Sequence, residues 1–220
     1  MNDSQRAAWQ RLGERYLVSG LARDAMATRL APQPPLDAAA LFGRVAPLLV
    51  EIGVGSGENL AAMAAARPDW NLLGFEVYEK VLGSTMSRCE RAGVSNVKLV
   101  CADAVTGLAY LLGPAAVSEL QTYFPDPWHK ARHVKRRLIN PSFVRLAATR
   151  LKPGGLWRLA TDWPDYAEHI TAVFRQVPLF ETATGQVGPS GRPMTKFEAR
   201  AAAAHREVFE FAFRLRQAAP

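Results

Sequence analysis

Two cysteines in 220 residues, Cys89 and Cys101, are too few and too far apart for a CxxC or metal-ligand pattern. Both fall in or near apolar segments, where free thiols sit in a reducing compartment, so a disulfide scaffold is excluded. The four histidines do not supply a metal site either. His129 and His133 stand at i, i+4 spacing, but no nearby carboxylate or cysteine completes a zinc ligand set, and no metal is expected. No apolar run is long enough to cross a bilayer. The start, Met1-Asn2-Asp3-Ser4-Gln5-Arg6, has no apolar stretch behind it to serve as a secretory leader. A cytoplasmic protein with no membrane partner is the expectation. Internal repeats are absent as well.

What the chain does have is enough apolar material to fold and an excess of positive charge. Hydrophobic residues make up 49% and charged residues 21%, which separates it from disordered chains. The formal net charge of +7 favours an anionic partner, of which nucleic acid is the commonest. The length suits one domain with an appended element. Residues 1–31 carry Trp9, Leu12, Tyr16 and Leu17 at helical spacing, and Ala31 to Pro35 is proline-rich and breaks the helix. The division expected is a helical extension over 1–40 and a main domain over 41–220.

From Leu48 onward strands alternate with helices. LLVEI, LLGFE (72–76), NVKLV (96–100), Val117 to Phe124 and Leu156 to Ala160 read as strands. Between them Glu58 to Arg67, Val81 to Arg91, Ala104 to Leu112, Leu138 to Leu151 and Tyr166 to Gln176 read as helices. Such alternation predicts crossover units and a parallel sheet covered on both faces. VFEFAFRL (208–215) is strongly strand-forming and belongs to an antiparallel edge pair. The arrangement predicted is a Rossmann-like α/β fold: a mostly parallel seven-stranded sheet with an antiparallel edge strand, as in class I methyltransferases.

In open α/β sheets, ligands bind where the strands end at the topological switch point. The first such end is EIGVGSG, with Gly53, Gly55 and Gly57 in GxGxG spacing and Glu51 two residues ahead. A dinucleotide site normally reads GxGxxG and receives a pyrophosphate at a helix N-terminus. A carboxylate in this place suits a phosphate poorly. It suits S-adenosylmethionine, which has no phosphate and brings a sulfonium and an ammonium. A purely structural turn is the alternative. Glu76 ends the second strand about twenty residues on, where an acid can accept from both ribose hydroxyls. Asp103 and Ala104, in CADA, end the third strand and can meet the adenine amino group. Asp103 can equally be the N-cap of the helix that follows.

The fourth strand runs into FPDPWHKARHVKRR (124–137). Pro127 holds Asp126 out of the helical region and Pro125 fixes its own φ, so one carboxylate is pre-positioned at the strand end. Behind it come Lys130, Arg132, Lys135, Arg136 and Arg137 with no acid among them. That block reads either as a phosphate-facing ramp or as a solvated face. Methyltransferases of exocyclic amines carry Asn/Asp-Pro-Pro-aromatic at this place; PDPW indicates a different nucleophile.

This loop, with TDW at 161–163 and RPMTKFEAR at 192–200, resembles the bacterial tRNA (guanine-N7-)-methyltransferase family, as do EIGVGSG, GFEVY and CADAV. The resemblance covers roughly residues 36–215, and the fourteen-residue loop and TKFE are its specific parts. It implies methyl transfer from S-adenosylmethionine to N7 of a guanine in the tRNA variable loop (position 46); the sequence leaves monomer and homodimer equally open. It implies that Glu51, Glu76, Asp103 and Asp126 line the cofactor pocket and that Asp126 is the key active-site acid. It also implies that Lys130, Asp162, Thr195, Lys196, Phe197 and Glu198 bind the substrate. The chain departs from the pattern at Val54 and Tyr78, and Gly185 to Gly191 lacks the aromatic-rich loop usual there.

Guanine N7 has a free lone pair, so no strong base is required, and in-line attack is a matter of positioning and charge. Asp126 can hold the base and offset its developing positive charge. Asp162 can accept from guanine N1 and N2, or cap the helix after Pro164. Lys130 and Lys196 can contact phosphate or base, Phe197 can stack or pack, and Trp128 and Trp163 read as packing residues. The readings that remain open beside this one are a methyltransferase of another substrate and a catalytically silent RNA-binding module. GxGxG with Glu51 argues against a nucleotide-dependent reductase.

Overall fold

A computed structural model describes residues 3–183, 193 and 195–217, apart from the side chains of Ser4 and Phe197. Seven strands form one sheet: β1 (Leu48–Ile52), β2 (Asn71–Glu76), β3 (Val97–Cys101), β4 (Val117–Tyr123), β5 (Leu151–Thr161), β6 (Phe180–Thr182) and β7 (Phe209–Leu215). Their order is β3-β2-β1-β4-β5-β7-β6. The first five pair in parallel, and β7 runs antiparallel to both β5 and β6, forming the antiparallel edge pair. β1 is buried along its whole length, as a central parallel strand covered on both faces must be. The order reverses between β1 and β4, so the loops after these two strands open onto one crevice.

One core lies between the sheet and α5 (Ala104–Leu111), α6 (Pro141–Arg150) and α7 (Pro164–Gln176). Trp157 is its centre, edge-on to Phe143, Phe174 and Phe180, with its indole N–H donated to Thr122 Oγ1 at 3.1 Å. The other core lies under α1 (Asp3–Tyr16), α3 (Glu58–Ala66) and α4 (Glu79–Arg91). There Leu60, Leu72, Leu82 and Met86 are fully buried, each contributing about 1.5–3 kcal/mol of apolar transfer. Two further α-helices are short: α2 (Ala38–Phe42), capped by Asp37, and α8 (Lys196–Ala203).

Several boundaries differ from those the sequence predicts. The N-terminal helix ends at Tyr16 rather than near residue 31. Beyond it the chain becomes a strap, with Val18 N donating to Leu99 O at 2.9 Å, so that main-chain pairing covers the otherwise open edge of β3. The helix predicted from Leu138 begins at Pro141, because Asn140 is its N-cap and accepts from Phe143 N at 3.0 Å. β5 starts at Leu151, not Leu156, and runs through the Pro-Gly-Gly stretch with a register shift against β4. β6 has three residues and too little pattern to announce itself.

Candidate active site

The glycine loop after β1 turns back over β2, with Gly53 N and Val54 N donating to Phe75 O at 2.9 and 3.1 Å. Gly53, Gly55 and Gly57 all take positive φ, which side-chain-bearing residues resist. At Gly57 a Cβ would also stand 2.6 Å from Thr85 Cγ2. α4 braces the loop from outside: Thr85 Oγ1 donates to Gly55 O at 2.7 Å and Arg88 Nε to Ser56 O at 3.0 Å. Glu76 braces it from inside, accepting from Gly55 N at 3.1 Å through one oxygen and from Val77 N at 2.8 Å through the other.

Glu51 is 4% exposed and accepts from Asn59 Nδ2 at 2.9 Å. Burial pushes its carboxyl up from 4.5 to about 8, with the Asn59 hydrogen bond pulling the other way. Asp103 is the N-cap of α5, its Oδ1 accepting from Thr106 N at 3.0 Å, and it also lines the large cavity below. The helix-cap reading of that residue therefore holds. The strap fixes it further, since Asp103 N donates to Thr28 O at 2.6 Å.

β4 ends at Tyr123, and Phe124 enters the left-handed region at φ 51° with its N–H donated to Ala160 O at 2.8 Å. Trp128, on the far side of Pro-Asp-Pro, has φ 43°. Asp126 stands exposed between these two strained residues. The basic stretch is a 3-10 helix over Ala131–Arg136, preceded by Lys130. Lys130, Arg132, Lys135 and Arg136 are exposed, and the Arg136 guanidinium lies 5.1 Å from the centroid of the Trp128 ring.

Arg137 is a correction. Grouped on sequence grounds with the phosphate-facing cations, it is 3% exposed and points inward. Its Nε donates to Pro127 O at 2.9 Å, its guanidinium pairs with Asp165 on α7, and it lies over the Tyr166 ring.

Asp162 does not cap α7, whose N-cap is Trp163. It pairs instead with Arg206 at 2.8 Å. Thr195 caps α8, its hydroxyl accepting from Glu198 N at 3.3 Å. Lys196 N donates to Glu58 Oε2 at 2.9 Å, tying the TKFE segment to α3 beside the glycine loop. Arg192, Met194, the stretch from Gly185 to Gly191 and the Phe197 side chain lie outside the described residues.

Gly53, Gly55, Glu76, Asp103, Ala104, Asp126 and Lys196 come together around one cavity of about 420 Å³, to which Trp128, Tyr78 and Arg136 also contribute. Glu51, Asn59, Thr195 and Lys196 line a small adjoining cavity of about 20 Å³. Lys130, Arg132, Lys135, Asp162 and Glu198 line neither. Sequence reasoning missed Asn59, although a polar residue on the apolar face of an alanine-rich helix was a visible signal. It also missed Arg136 and Trp128 as cavity walls and Arg206 as the partner of Asp162, for which no local signal exists. Among the described residues no group of His, Cys, Asp and Glu could hold a metal ion, and no helix is long and apolar enough to cross a membrane.

Residues 45–211 match a family described as putative methyltransferase. A tRNA (guanine-N(7)-)-methyltransferase of Cutibacterium acnes is 48% identical over 97% of this chain and 79% of its own length. One of Nocardioides sp. is 45% identical over 98% of this chain and 83% of its own. Among solved structures, the 16S rRNA methyltransferase KamB superposes with TM-score 0.60 at 15% identity, covering 89% of this chain and 99% of that one. A 16S rRNA (adenine(1408)-N(1))-methyltransferase from Catenulisporales acidiphilia gives 0.58 at 16% identity, covering 91% and 99%. At these identities the two structures speak to the fold alone: it is the Rossmann-like fold of class I methyltransferases.

Proposed function

The chain belongs to the tRNA (guanine-N(7)-)-methyltransferase family, and from that premise we propose that it transfers a methyl group from S-adenosylmethionine to N7 of a guanine in the tRNA variable loop. The observation that carries this reading is the single cavity walled by acids from successive strand ends and rimmed by exposed cations.

The residues present fit the cofactor. The glycine backbone allows close approach, the cavity is of ligand size, and three carboxylates, Glu76, Asp103 and Asp126, line it together with Lys196 and Arg136. Glu51 faces the amino-acid end, Glu76 the ribose hydroxyls and Asp103 the adenine. Glu76 and Asp103 already accept from backbone N–H groups. Each carboxylate keeps further lone pairs for a ligand donor. When bound, S-adenosylmethionine supplies an electrophilic methyl on a sulfonium.

The protein's own contribution is positioning and charge. Asp126 requires no long side chain to be ordered, because two prolines and two left-handed residues fix its backbone. Its carboxylate offsets the positive charge that builds on the purine as N7 is alkylated. Lys130, Arg132 and Lys135 face the tRNA phosphates, and Arg136, over Trp128, stands where the backbone meets the cavity. Asp162 accepts from guanine N1 and N2, sharing or exchanging the Arg206 guanidinium it now holds. The test is nucleoside-resolved methylation of tRNA from a strain lacking the activity. N7-methylguanosine is the product expected; a methyl on any other atom refutes the proposal.

A further inference from the structure

Six polar side chains form a line beneath α3. Asn59 Nδ2 donates to Glu51 Oε2 at 2.9 Å and to Gln121 Oε1 at 2.8 Å. Gln121 Nε2 donates to Glu119 Oε1 at 2.7 Å, and Glu119 is held by Arg67 at 2.8 Å and Arg158 at 3.1 Å. The line fixes each amide's orientation. Turning Asn59 over would set its oxygen against two acceptors, and turning Gln121 would do the same against Glu119. In this orientation Asn59 Oδ1 has no hydrogen-bond partner, in a side chain only 2% exposed. A buried acceptor left unpaired is costly and calls for a ligand or a bound water.

Asn59 and Glu51 both line the cavity of about 20 Å³ under the glycine loop and Lys196. That space holds one small polar group. A carboxyl and an amide whose oxygen is unpaired, both on this lining, suit a group that only donates, and an ammonium has three N–H donors and no acceptor. We propose that Asn59 is a second receptor for the amino-acid end of the cofactor, its Oδ1 accepting from the α-ammonium while its Nδ2 holds Glu51 in place. The charged end of the line, Glu119 with two arginines, anchors the amides so that neither turns when the ligand arrives. This assignment rests on reading the cavity as an S-adenosylmethionine pocket.

Isothermal titration with two probes tests it. S-adenosylhomocysteine carries the amino-acid end; 5′-methylthioadenosine keeps the adenosine and the thioether but lacks that end. Asn59→Ala is expected to weaken S-adenosylhomocysteine by about 10- to 100-fold, as for one hydrogen bond to a charged group. Methylthioadenosine should stay within about threefold. Equal loss for both probes would mean that the substitution only deforms the pocket, and no loss for either would give the site to a water; both results overturn the assignment. Wild-type protein that binds neither probe would remove the cofactor reading itself. If Asn59→Ala melts early, N59D keeps the shape and the acceptor, and its proton can be shared with Glu51. It should keep or increase the preference for S-adenosylhomocysteine. Collapse of that preference in a folded N59D protein would show that only the Nδ2 donor matters, and would overturn the Oδ1 contact.

Discussion

Glu51 should lose a proton when the cofactor binds. Its carboxyl is pushed up to about 8 by burial, so at pH 7 about nine molecules in ten are protonated before any ligand arrives. An ammonium facing that group favours the carboxylate, and the proton has to leave. Titrating S-adenosylhomocysteine at pH 7 in buffers of different ionisation enthalpy should therefore show release of about 0.9 proton per site. Glu51→Gln should bring that figure close to zero. Release below about 0.2 proton in the wild type, or an unchanged value in the variant, would refute the pairing of Glu51 with the ammonium.

The same group fixes the sign of a stability effect in the unliganded protein. Its folded-state value lies above the 4.5 of an unperturbed carboxyl. The contribution is therefore fully present below about pH 4.5 and lost as the pH rises through about 8. At 1.36 kcal/mol per pH unit, the wild type should lose at most about 5 kcal/mol relative to Glu51→Gln across that window. Denaturant unfolding at pH 5, 7 and 8.5 measures the difference, and a wild-type stability that does not fall relative to Glu51→Gln with rising pH contradicts the assignment.

Other outcomes follow from the same geometry. Asp126→Ala should lower turnover by about 10²-fold or more while leaving the melting temperature unchanged, because the side chain is exposed; near wild-type rates would remove it from the mechanism. Lys135→Ala should weaken tRNA binding and reduce the magnitude of the slope of log affinity against log salt by about 1, with no change in thermal melting. Arg137→Ala, its neighbour but one, should do the reverse: a loss of about 1–3 kcal/mol in denaturant unfolding as the buried guanidinium and its bond to Pro127 O are removed, with the salt slope kept. Gly107→Ala would bring a Cβ to 2.3 Å from Phe75 Cε1, and Phe75 O anchors the glycine loop. It should cost about 1–3 kcal/mol of stability and weaken cofactor binding in calorimetry.

The strand ends were legible because a parallel sheet reads as apolar runs at regular spacing, and the acids at those ends stand out against them. Asp103 shows the limit of that method. Its sequence position allowed a helix cap or a contact to an adenine amino group; the fold shows the cap, on a residue that also lines the large cavity. Arg137 could not have been separated from Arg136 by pattern, since the groups it turns toward, Asp165 and the Tyr166 ring, stand on α7, the first of them 28 residues later. β6 and the strap over β3 were hidden for another reason: both are held by main-chain pairing, which leaves little trace in side-chain type.

The loop from Phe124 to Arg137 works because its two ends are fastened differently from its middle. Residues in the left-handed region cost about 1–3 kcal/mol each unless their surroundings impose them, and here there are two, Phe124 and Trp128, flanking Pro-Asp-Pro. Phe124 is tied to β5 through Ala160 O, and the far side is tied to α7 through Arg137, which reaches back to Pro127 O as well as out to Asp165. Asp126 is thus free at its side chain and fixed at its backbone, as a positioning group requires. The basic run is divided for the same reason. The buried arginine braces the loop that carries the carboxylate, while Lys130, Arg132, Lys135 and Arg136 stay exposed on its surface.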